Sequence, residues 1–475
     1  MKNLALFWVL IFLFSGNSYL SAQMVTIDEA ANIAARYIQM ISDRYGSWAG
    51  SSEARPGPMQ ELKMGDKLIG YYCNAMPDGF LIVPLRRELG AVKASSDKGR
   101  FDPTSEKGII GFVKYIMSGQ INTIESNFRN IERVTVEELE SLCEFSYRQA
   151  WNDIDRYVPG SFSKDTLLKW NYAQGQIMLN TFWEQGPPYN NACPDLGCTT
   201  TTNGRALAGC TAVAMAQIMR HWAWPLYLSG SSFWYDWEHM SDQVFSYSPQ
   251  IEQDAVAALC YHAASLSGSN FGCDITTGDF ELTKDAFKNF FFYSNTVNLL
   301  RRRHYKWEDW WNMMKAQLNA NRPILYFVVA HAIVCDGWRE WGSIEYHMNY
   351  GWGVEPYTTW YLFDNLHWGD FDMEQMITNI FPSTALGNSP IGNYPGGIVR
   401  YFDVDAQSSG AIFEPGNWLQ LGKKVKIRGT GTGFIFNGTS AEPTLIYTDG
   451  VRNKGIVVKN GTMKLINGGE AIITQ

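Results

Sequence analysis

A single cysteine stands where an apolar stretch of the chain is expected to become a helix. Cys210 follows Gly209 and opens a run that continues through small and apolar residues to Met219, a pattern that indicates a helix. A helix N-terminus has free N–H groups and a positive dipole end, which lower the pKa of a thiol placed there. Because the thiolate is the form that attacks carbonyl carbons, the pattern predicts a nucleophile. The alternative is a small buried core residue.

A cysteine nucleophile needs a base, and the chain has seven histidines. His221 follows Cys210 on the same helix by about three turns, so its ring cannot reach the sulfur. His331 follows the apolar run 324–330 and precedes a second strand pattern. A polar side chain in such a place is costly unless it has partners or a function. His347 lies in a similar strand setting, so spacing alone does not choose between His331 and His347.

Four sequence motifs surround these residues. They are Trp183-Glu-Gln-Gly-Pro-Pro-Tyr-Asn190, Gly209-Cys-Thr-Ala-Val-Ala-Met-Ala-Gln-Ile-Met219, His331-Ala-Ile-Val-Cys-Asp-Gly337 and Tyr346-His-Met-Asn-Tyr-Gly-Trp-Gly353. In this order they resemble the motifs of the streptopain family of papain-clan cysteine peptidases, and the likeness covers roughly residues 167–382. The segment before them is more weakly similar to the inhibitory propeptide of that family. The resemblance implies a papain-like catalytic domain in a zymogen.

Carried over residue by residue, the resemblance makes Cys210 the nucleophile and His331 the general base that later protonates the leaving amine. A Cys–His pair held as thiolate and imidazolium keeps such a nucleophile ready near neutral pH. Gln185 matches the family's glutamine and is expected to donate a side-chain N–H to the oxyanion, beside the backbone N–H of Cys210. Trp352 matches the second tryptophan of the family's Trp-Gly-Trp-Gly motif and is expected to orient the histidine and line the cleft.

Three positions depart from the family pattern. Tyr350 replaces the first tryptophan of Trp-Gly-Trp-Gly. The group that orients the histidine is then either the backbone carbonyl of residue 350, which we favour, or the side-chain amide of Asn349. If ring packing on the imidazole matters instead, tyrosine offers a smaller surface. Ala330 stands where the family commonly has glycine and is expected to line the substrate cleft. Residues 271–278 replace a Ser-Gly-rich substrate loop, in which Thr277 is expected to offer a hydroxyl.

The composition is typical of a well-packed globular protein. Of 475 residues, 45% are hydrophobic and 18% are charged, with a formal net charge of −8. Since no basic stripe stands out, nucleic acid is excluded as a partner. Neither a Cys-x-x-Cys motif nor paired histidines accompany Cys193 and Cys198, so no metal and no cofactor are expected. These two cysteines either pair across a loop or remain separate buried thiols.

The first 22 residues have the pattern of a secretory signal peptide. Lys2 precedes an apolar run from Leu4 to Phe14, and small and polar residues follow up to Ala22. The run is too short to span a bilayer, and no later run approaches the length of about eighteen apolar residues that a span needs. We therefore expect a secreted, cell-surface or periplasmic protein without a transmembrane segment.

The elements that must position the candidate site fall into three further segments. Residues 23–160 mix helix and strand patterns and are expected to form an α+β propeptide domain, which ends in an exposed linker suited to activation cleavage. Residues 165–385 also mix both patterns and are expected to form an α+β, papain-like catalytic domain. Residues 390–475 show the short alternating runs of a small all-β domain. The glycines that begin at Gly429 are interpreted as turn residues rather than a phosphate loop.

The sequence thus predicts a secreted cysteine endopeptidase made as a zymogen. Its partners are expected to be protein or peptide substrates and its own propeptide, acting as an intramolecular inhibitor. The alternative is a catalytically impaired homologue that serves as a binding or surface adhesion protein, motivated by the departures at Tyr350, Ala330 and the loop 271–278.

Overall fold

The computed structural model of the chain describes residues 24–105, 108–127, 148–159, 174–328, 331–340, 344–353, 358–362, 374–386, 389–395, 399–402, 406–414, 416–421, 427–429, 434–436, 444–447 and 463–466. The expected signal peptide and Ala330 lie outside these residues. Most of the linker that the sequence predicts before residue 165 also lies outside them.

The N-terminal segment folds as helices and a set of antiparallel strands. Helix α1 (Ile27–Tyr45) begins with a capping box, in which the Thr26 hydroxyl accepts from the Glu29 N–H and the Glu29 carboxylate accepts from the Thr26 N–H. It ends at Gly46, whose φ of 94° suits glycine. The other elements are β1 (Arg55–Pro56), β2 (Gln60–Met64), β3 (Lys67–Met76), β4 (Phe80–Pro84), β5 (Ala94–Ser96), α2 (Gly108–Asn127) and α3 (Arg148–Asp155).

The following segment mixes helices and strands, as its sequence pattern predicts. Its helices are α4 (Cys210–Trp222), α5 (Gln250–Leu266), α6 (Phe280–Asn289) and α7 (Trp307–Asn319), with short 3₁₀ turns at Trp237–His239 and Arg302–His304. Its strands are β6 (Asn298–Arg301), β7 (Ile324–Val328), β8 (His331–Glu340), β9 (Ile344–Asn349), β10 (Thr358–Leu362) and β11 (Gln375–Thr378). Helix α4 begins at the candidate nucleophile, and β8 begins at the candidate base.

One antiparallel sheet runs through both segments. Its strand order is β1-β3-β4-β5-β10-β9-β8-β7-β11-β6, with β2 also paired to β3. The two segments meet between β5 and β10, where Ser95 stands opposite Trp360 and Ala94 opposite Tyr361. Removing the N-terminal strands would therefore expose the edge of β10 and its unpaired backbone groups.

Two buried apolar clusters support this sheet. The first joins α1 and the N-terminal strands to residues of the following segment, among them Trp310 and Tyr346. The second surrounds α4 and α5 and includes Val213 and Leu259. Helix α4 is buried along almost its whole length, which is typical of a helix at the centre of a domain. The candidate nucleophile is thus carried by a buried, central helix.

The strands beyond residue 390 stack in parallel. They are β12 (Gly392–Tyr394), β13 (Val399–Phe402), β14 (Ala406–Ser408), β15 (Ala411–Phe413), β16 (Trp418–Leu421), β17 (Ile427–Gly429), β18 (Phe434–Phe436), β19 (Thr444–Tyr447) and β20 (Met463–Ile466). The stacks are β12-β15-β18, β13-β16-β19-β20 and β14-β17, with parallel pairing in each. Through β19, each stack takes every third strand, which is the order of a solenoid. The Tyr401 hydroxyl donates to the Trp222 carbonyl at the end of α4.

The cysteine pairing differs from the one considered from the sequence. Cys198 forms a disulfide with Cys273, 75 residues further on, while Cys193 is a free, buried thiol. A bond between Cys193 and Cys198 is therefore wrong. The reason lies in two loops that fold together: the Leu207 N–H donates to the Gly272 carbonyl at 3.1 Å, and this approach brings Cys273 alongside Cys198.

Within the described part of the chain, no helix is both long enough and apolar enough to cross a membrane. The same residues contain no group of three or more His, Cys, Asp or Glu side chains placed to hold a metal ion.

Candidate active site

Cys210 is the first residue of α4, and the residue before it explains how the helix can start there. Gly209 has a φ of 92°, and a Cβ built on it would lie 2.8 Å from the carbonyl oxygen of Thr276. Only glycine tolerates both this conformation and this close approach. The Gly209 carbonyl accepts a helical hydrogen bond from the Val213 N–H at 3.0 Å. The positive end of the helix dipole is therefore held at Cys210.

His331 is the first residue of β8 and lies beside this helix end. Its Nε2 is 2.9 Å from the carbonyl oxygen of Tyr350. Because a carbonyl only accepts, Nε2 carries a proton, and Nδ1 is left to exchange one with a thiol. The Cys210 side chain forms a hydrogen bond with His331. The fold thus brings together the two residues that the sequence analysis paired.

The surroundings of Cys210 favour the thiolate. Burial by itself raises the pKa of this thiol, but the hydrogen bond and the charge of His331, the Ala332 N–H and the Thr211 hydroxyl together outweigh it. The net effect lowers the pKa of Cys210 below its usual value. At Cys193, by contrast, burial raises the thiol pKa to about 12. Of these two cysteines, only Cys210 is suited to nucleophilic attack.

Of the two aromatic residues near the imidazole, one stacks directly on it. The Trp352 ring stacks on His331 with centroids 4.2 Å apart and planes at 23°, whereas the Tyr350 ring centroid is 6.0 Å away. Tyr350 is fully buried and packs on Phe112 of α2 at 5.8 Å. The ring that contacts the imidazole is therefore Trp352, which the family pattern retains. Replacement of the other tryptophan by tyrosine leaves the orienting carbonyl in place.

Asn349 acts on the turn that carries this carbonyl. Its Oδ1 accepts from the Gly351 N–H at 3.0 Å and from Gln217 Nε2 at 3.1 Å. Its Nδ2 donates to the Thr181 carbonyl at 2.8 Å. Of the two orienting groups considered from the sequence, the carbonyl of residue 350 contacts His331, while the Asn349 amide braces the turn and ties it to α4 through Gln217.

His347 has a different environment from His331. It is buried, and its Nδ1 lies 2.6 Å from Asp336 Oδ1. The other oxygen of Asp336 accepts from the Leu179 N–H at 3.0 Å. The His347–Asp336 pair therefore connects β8 and β9 with the backbone at Leu179. The choice between the two histidines, which spacing left open, goes to His331 as the partner of Cys210.

An open cleft of about 510 Å³ lies over the Cys210–His331 pair. Gln185 lines it, and its backbone carbonyl accepts from the Ala208 N–H at 2.9 Å, two residues before Cys210. Trp352 lines the same cleft. A glutamine side chain and a helical N–H beside a nucleophile are the donors that an oxyanion needs.

In the loop 271–278, the threonine that lines the cleft is one residue earlier than the sequence analysis predicts. Thr276, not Thr277, lines the cleft, and its hydroxyl donates to the Leu207 carbonyl at 2.8 Å. Thr277 is exposed and exchanges backbone hydrogen bonds with Asn270. Thr277 is therefore not among the residues that line the cleft.

Sequence reasoning missed several residues that line the cleft. They are Glu184, Thr200, Thr201, Thr202, Asp274 and Ile275. The Cys198–Cys273 disulfide ties the 200–202 loop to the 274–276 loop, and the Thr200 hydroxyl adds a bond to the Cys273 carbonyl at 2.9 Å. The available signal was the position of one cysteine next to each threonine-containing loop.

Comparison with known proteins gives consistent results. The sequence profile of the Peptidase C10 family matches residues 183–361. The thiol protease/hemagglutinin PrtT of Porphyromonas gingivalis is 30% identical over 205 residues, which cover 38% of this chain and 23% of PrtT. Streptopain of Streptococcus pyogenes serotype M28 is 22% identical over 341 residues, which cover 64% of this chain and 77% of streptopain.

Among solved structures, a prointerpain A fragment from Prevotella intermedia aligns with a TM-score of 0.49 and 19% identity, covering 69% of this chain and 99% of the fragment. The active interpain A cysteine protease aligns with a TM-score of 0.38 and 22% identity, covering 43% of this chain and 94% of that protein.

The family profile spans Gln185, Cys210, His331 and Trp352, and the curated relatives are named as a thiol protease and as streptopain. By this match, residues 183–361 are a segment similar to the Peptidase C10, or streptopain, family of cysteine peptidases.

Proposed function

We propose that the protein is a cysteine endopeptidase whose catalytic groups are Cys210 and His331. The observation that carries this proposal is the hydrogen-bonded thiol–imidazole pair at the start of α4, which opens into a cleft large enough for a peptide. The lowered pKa of Cys210 favours the thiolate. The Tyr350 carbonyl binds Nε2 of His331, so Nδ1 is the nitrogen that faces the thiolate.

In the proposed reaction, the Cys210 thiolate attacks the carbonyl carbon of the scissile peptide bond. The developing oxyanion accepts hydrogen bonds from the Cys210 N–H and the Gln185 side chain. His331 then gives its proton to the leaving amine, which departs as the acyl-enzyme forms. Water, deprotonated by His331, hydrolyses the thioester and restores the thiol. Trp352 holds the imidazole in place through both steps.

We further propose that residues 23–160 form a propeptide that precedes a papain-like catalytic domain at 165–385. The pairing of β5 with β10 supports this, because it ties the N-terminal segment to the sheet that carries His331. The contact of Phe112 with Tyr350, behind the orienting carbonyl, gives the same segment a connection to the site. The described residues that line the cleft all follow residue 183.

The remaining segments complete the proposal. Residues 1–22 act as a signal peptide, so the protein is secreted or held at the cell surface or in the periplasm. Residues 390–475 form a separate β-domain, supported by the parallel strand stacks of that region. An impaired, binding-only homologue is less well supported, since the Tyr350 substitution spares the carbonyl and since Trp352 keeps its contact with His331.

The maturation step gives a direct test. If the enzyme removes its own propeptide, a Cys210→Ala variant should remain full length under conditions in which the wild-type chain is trimmed, because the attacking thiol is absent. N-terminal sequencing of both proteins after secretion or refolding identifies the cut, which we expect between the propeptide and residue 174. Identical trimming of both proteins would mean that another protease performs the maturation.

A further inference from the structure

The described part of the cleft over Cys210 is lined by acidic side chains but not by lysine or arginine. Glu184 and Asp274 both line it, and the described lining residues include no lysine or arginine. The only cationic side chain there is His331, whose charge already interacts with Cys210. A substrate with a cationic side chain would thus meet a carboxylate in the cleft without a competing positive charge.

The two carboxylates lie on different walls. The backbone beside Glu184 is tied to the turn that holds the histidine, because the Gly353 N–H donates to the Trp183 carbonyl at 3.0 Å. A Cβ built on Gly353 would lie 3.5 Å from Glu184 Oε2. Asp274 instead belongs to the disulfide-braced loop whose Thr276 packs against Gly209, next to the nucleophile.

The chemistry of the proposed reaction assigns these walls to parts of the substrate. His331 must protonate the leaving amine, so the residue after the scissile bond leaves on the histidine side of the cleft. Trp352 stacks on His331, and the Glu184 carboxylate lies against Gly353, the next residue. Glu184 therefore faces the side chain of the residue that follows the scissile bond.

Within the part of the chain that the structure describes, Glu184 has no cationic partner. Among the described residues, no lysine, arginine or histidine forms an ion pair with it, whereas exposed acids elsewhere, such as Glu61 and Glu281, are paired. The Glu184 side chain is exposed to solvent in the open cleft, and partial desolvation by the surrounding protein raises the pKa of its carboxyl group. An incoming cation would replace water at a carboxylate that is already partly desolvated.

We propose that Glu184 is a specificity-determining residue that selects substrates with a lysine or arginine immediately after the scissile bond. The inference rests on the proposed peptidase function of Cys210 and His331. Preference on the other side of the bond, next to Asp274, is set by a separate wall and is independent of Glu184.

The test compares two internally quenched peptides that differ only in the residue after the cleaved bond, lysine in one and glutamine in the other. For the matured wild-type enzyme at low ionic strength, kcat/KM should be roughly three- to ten-fold higher for the lysine peptide, as one partly exposed ion pair allows. In Glu184→Gln the ratio should fall to about one. The matched variant Asp274→Asn removes the same charge from the other wall and should keep the wild-type ratio.

Salt provides a second readout. The preference should shrink between about 0.05 M and 0.5 M NaCl, because ions screen an attraction between partly exposed charges. Equal hydrolysis of both peptides by the wild type, or an unchanged ratio in Glu184→Gln, would overturn the inference while leaving the peptidase function intact. Failure of the matured wild type to hydrolyse either peptide, or any protein substrate, would overturn both.

Discussion

Replacement of Cys210 by alanine should abolish peptide hydrolysis, with a loss in kcat of roughly 10⁴-fold or more. In the proposed reaction the thiol forms the acyl-enzyme, and its hydrogen bond to His331 cannot be replaced by a methyl group. The measurement is hydrolysis of a fluorogenic peptide after both proteins have been trimmed by the same added protease, so that a defect in maturation does not mask the result.

Cys193→Ala is the matched control. It removes another buried thiol near the same core, but one whose pKa burial raises to about 12, so its rate constant should stay within a few-fold of the wild type. If Cys210→Ala retained the wild-type rate, or if Cys193→Ala lost as much activity as Cys210→Ala, the nucleophile would have to be sought elsewhere.

The second large effect concerns a buried ion pair where the two segments meet. Glu345 and Arg339 are 1% and 5% exposed, with Arg339 Nε 2.6 Å from Glu345 Oε2. The Tyr37 hydroxyl donates to the Glu345 carboxylate at 2.9 Å, and Ser95 lies within 3.3 Å of the guanidinium. Since α1 and β5 supply Tyr37 and Ser95, the N-terminal segment completes the solvation of the charges on β8 and β9.

Glu345→Ala should lower the free energy of unfolding of the full-length chain by about 3–5 kcal/mol, because it leaves the Arg339 guanidinium buried without a counter-charge. Urea unfolding followed by tryptophan fluorescence measures this. Glu61→Ala, which breaks an exposed pair with Lys63, should change the same quantity by less than about 1 kcal/mol. A loss below about 1 kcal/mol for Glu345→Ala would contradict the role assigned to the buried pair.

The start of the nucleophile helix was predictable from sequence because the signal is local. Gly209 permits the turn, and the small and apolar residues after Cys210 specify a buried helix. The helix that the structure contains begins at that cysteine. The strand that starts at His331 follows from a similarly local pattern. The spacing of residues in the sequence could not distinguish His331 from His347 as the base. That distinction depends on the contact between His347 and Asp336, which lie on two neighbouring strands.

Long-range geometry set the limits of the sequence analysis. The partner of Cys198 is Cys273, and only the folding together of two loops brings them into contact. Thr276 rather than Thr277 lines the cleft, because the Thr276 hydroxyl donates to the distant Leu207 carbonyl, a contact that only the folded chain provides. Likewise, the short alternating runs after residue 390 indicated strands. Their parallel stacking depends on which strands pair with each other, and composition does not encode that pairing.

The junction of the two segments was also beyond the sequence patterns. Helix and strand signals before residue 160 are compatible with an independent domain, yet β5 pairs with β10 and extends the sheet that carries His331. Tyr37 and Arg339 gave no sequence signal of their contact because they are far apart along the chain. Their hydrogen bond becomes evident only when both sides of the junction are seen.

The most direct test of the central claim is the pH dependence of alkylation at Cys210. The rate constant for iodoacetamide should be measured on the matured protein between about pH 5 and pH 9, a range that includes the ordinary thiol pKa of about 8.5, with mass spectrometry to identify the modified cysteine. Because the His331 contact lowers the pKa of Cys210, the thiolate should persist below the pH at which a free thiol becomes protonated. The rate should fall only as the pH drops through the lowered pKa, and His331→Ala should move this fall to higher pH. A rate that follows a free thiol, unchanged by His331→Ala, would contradict the account.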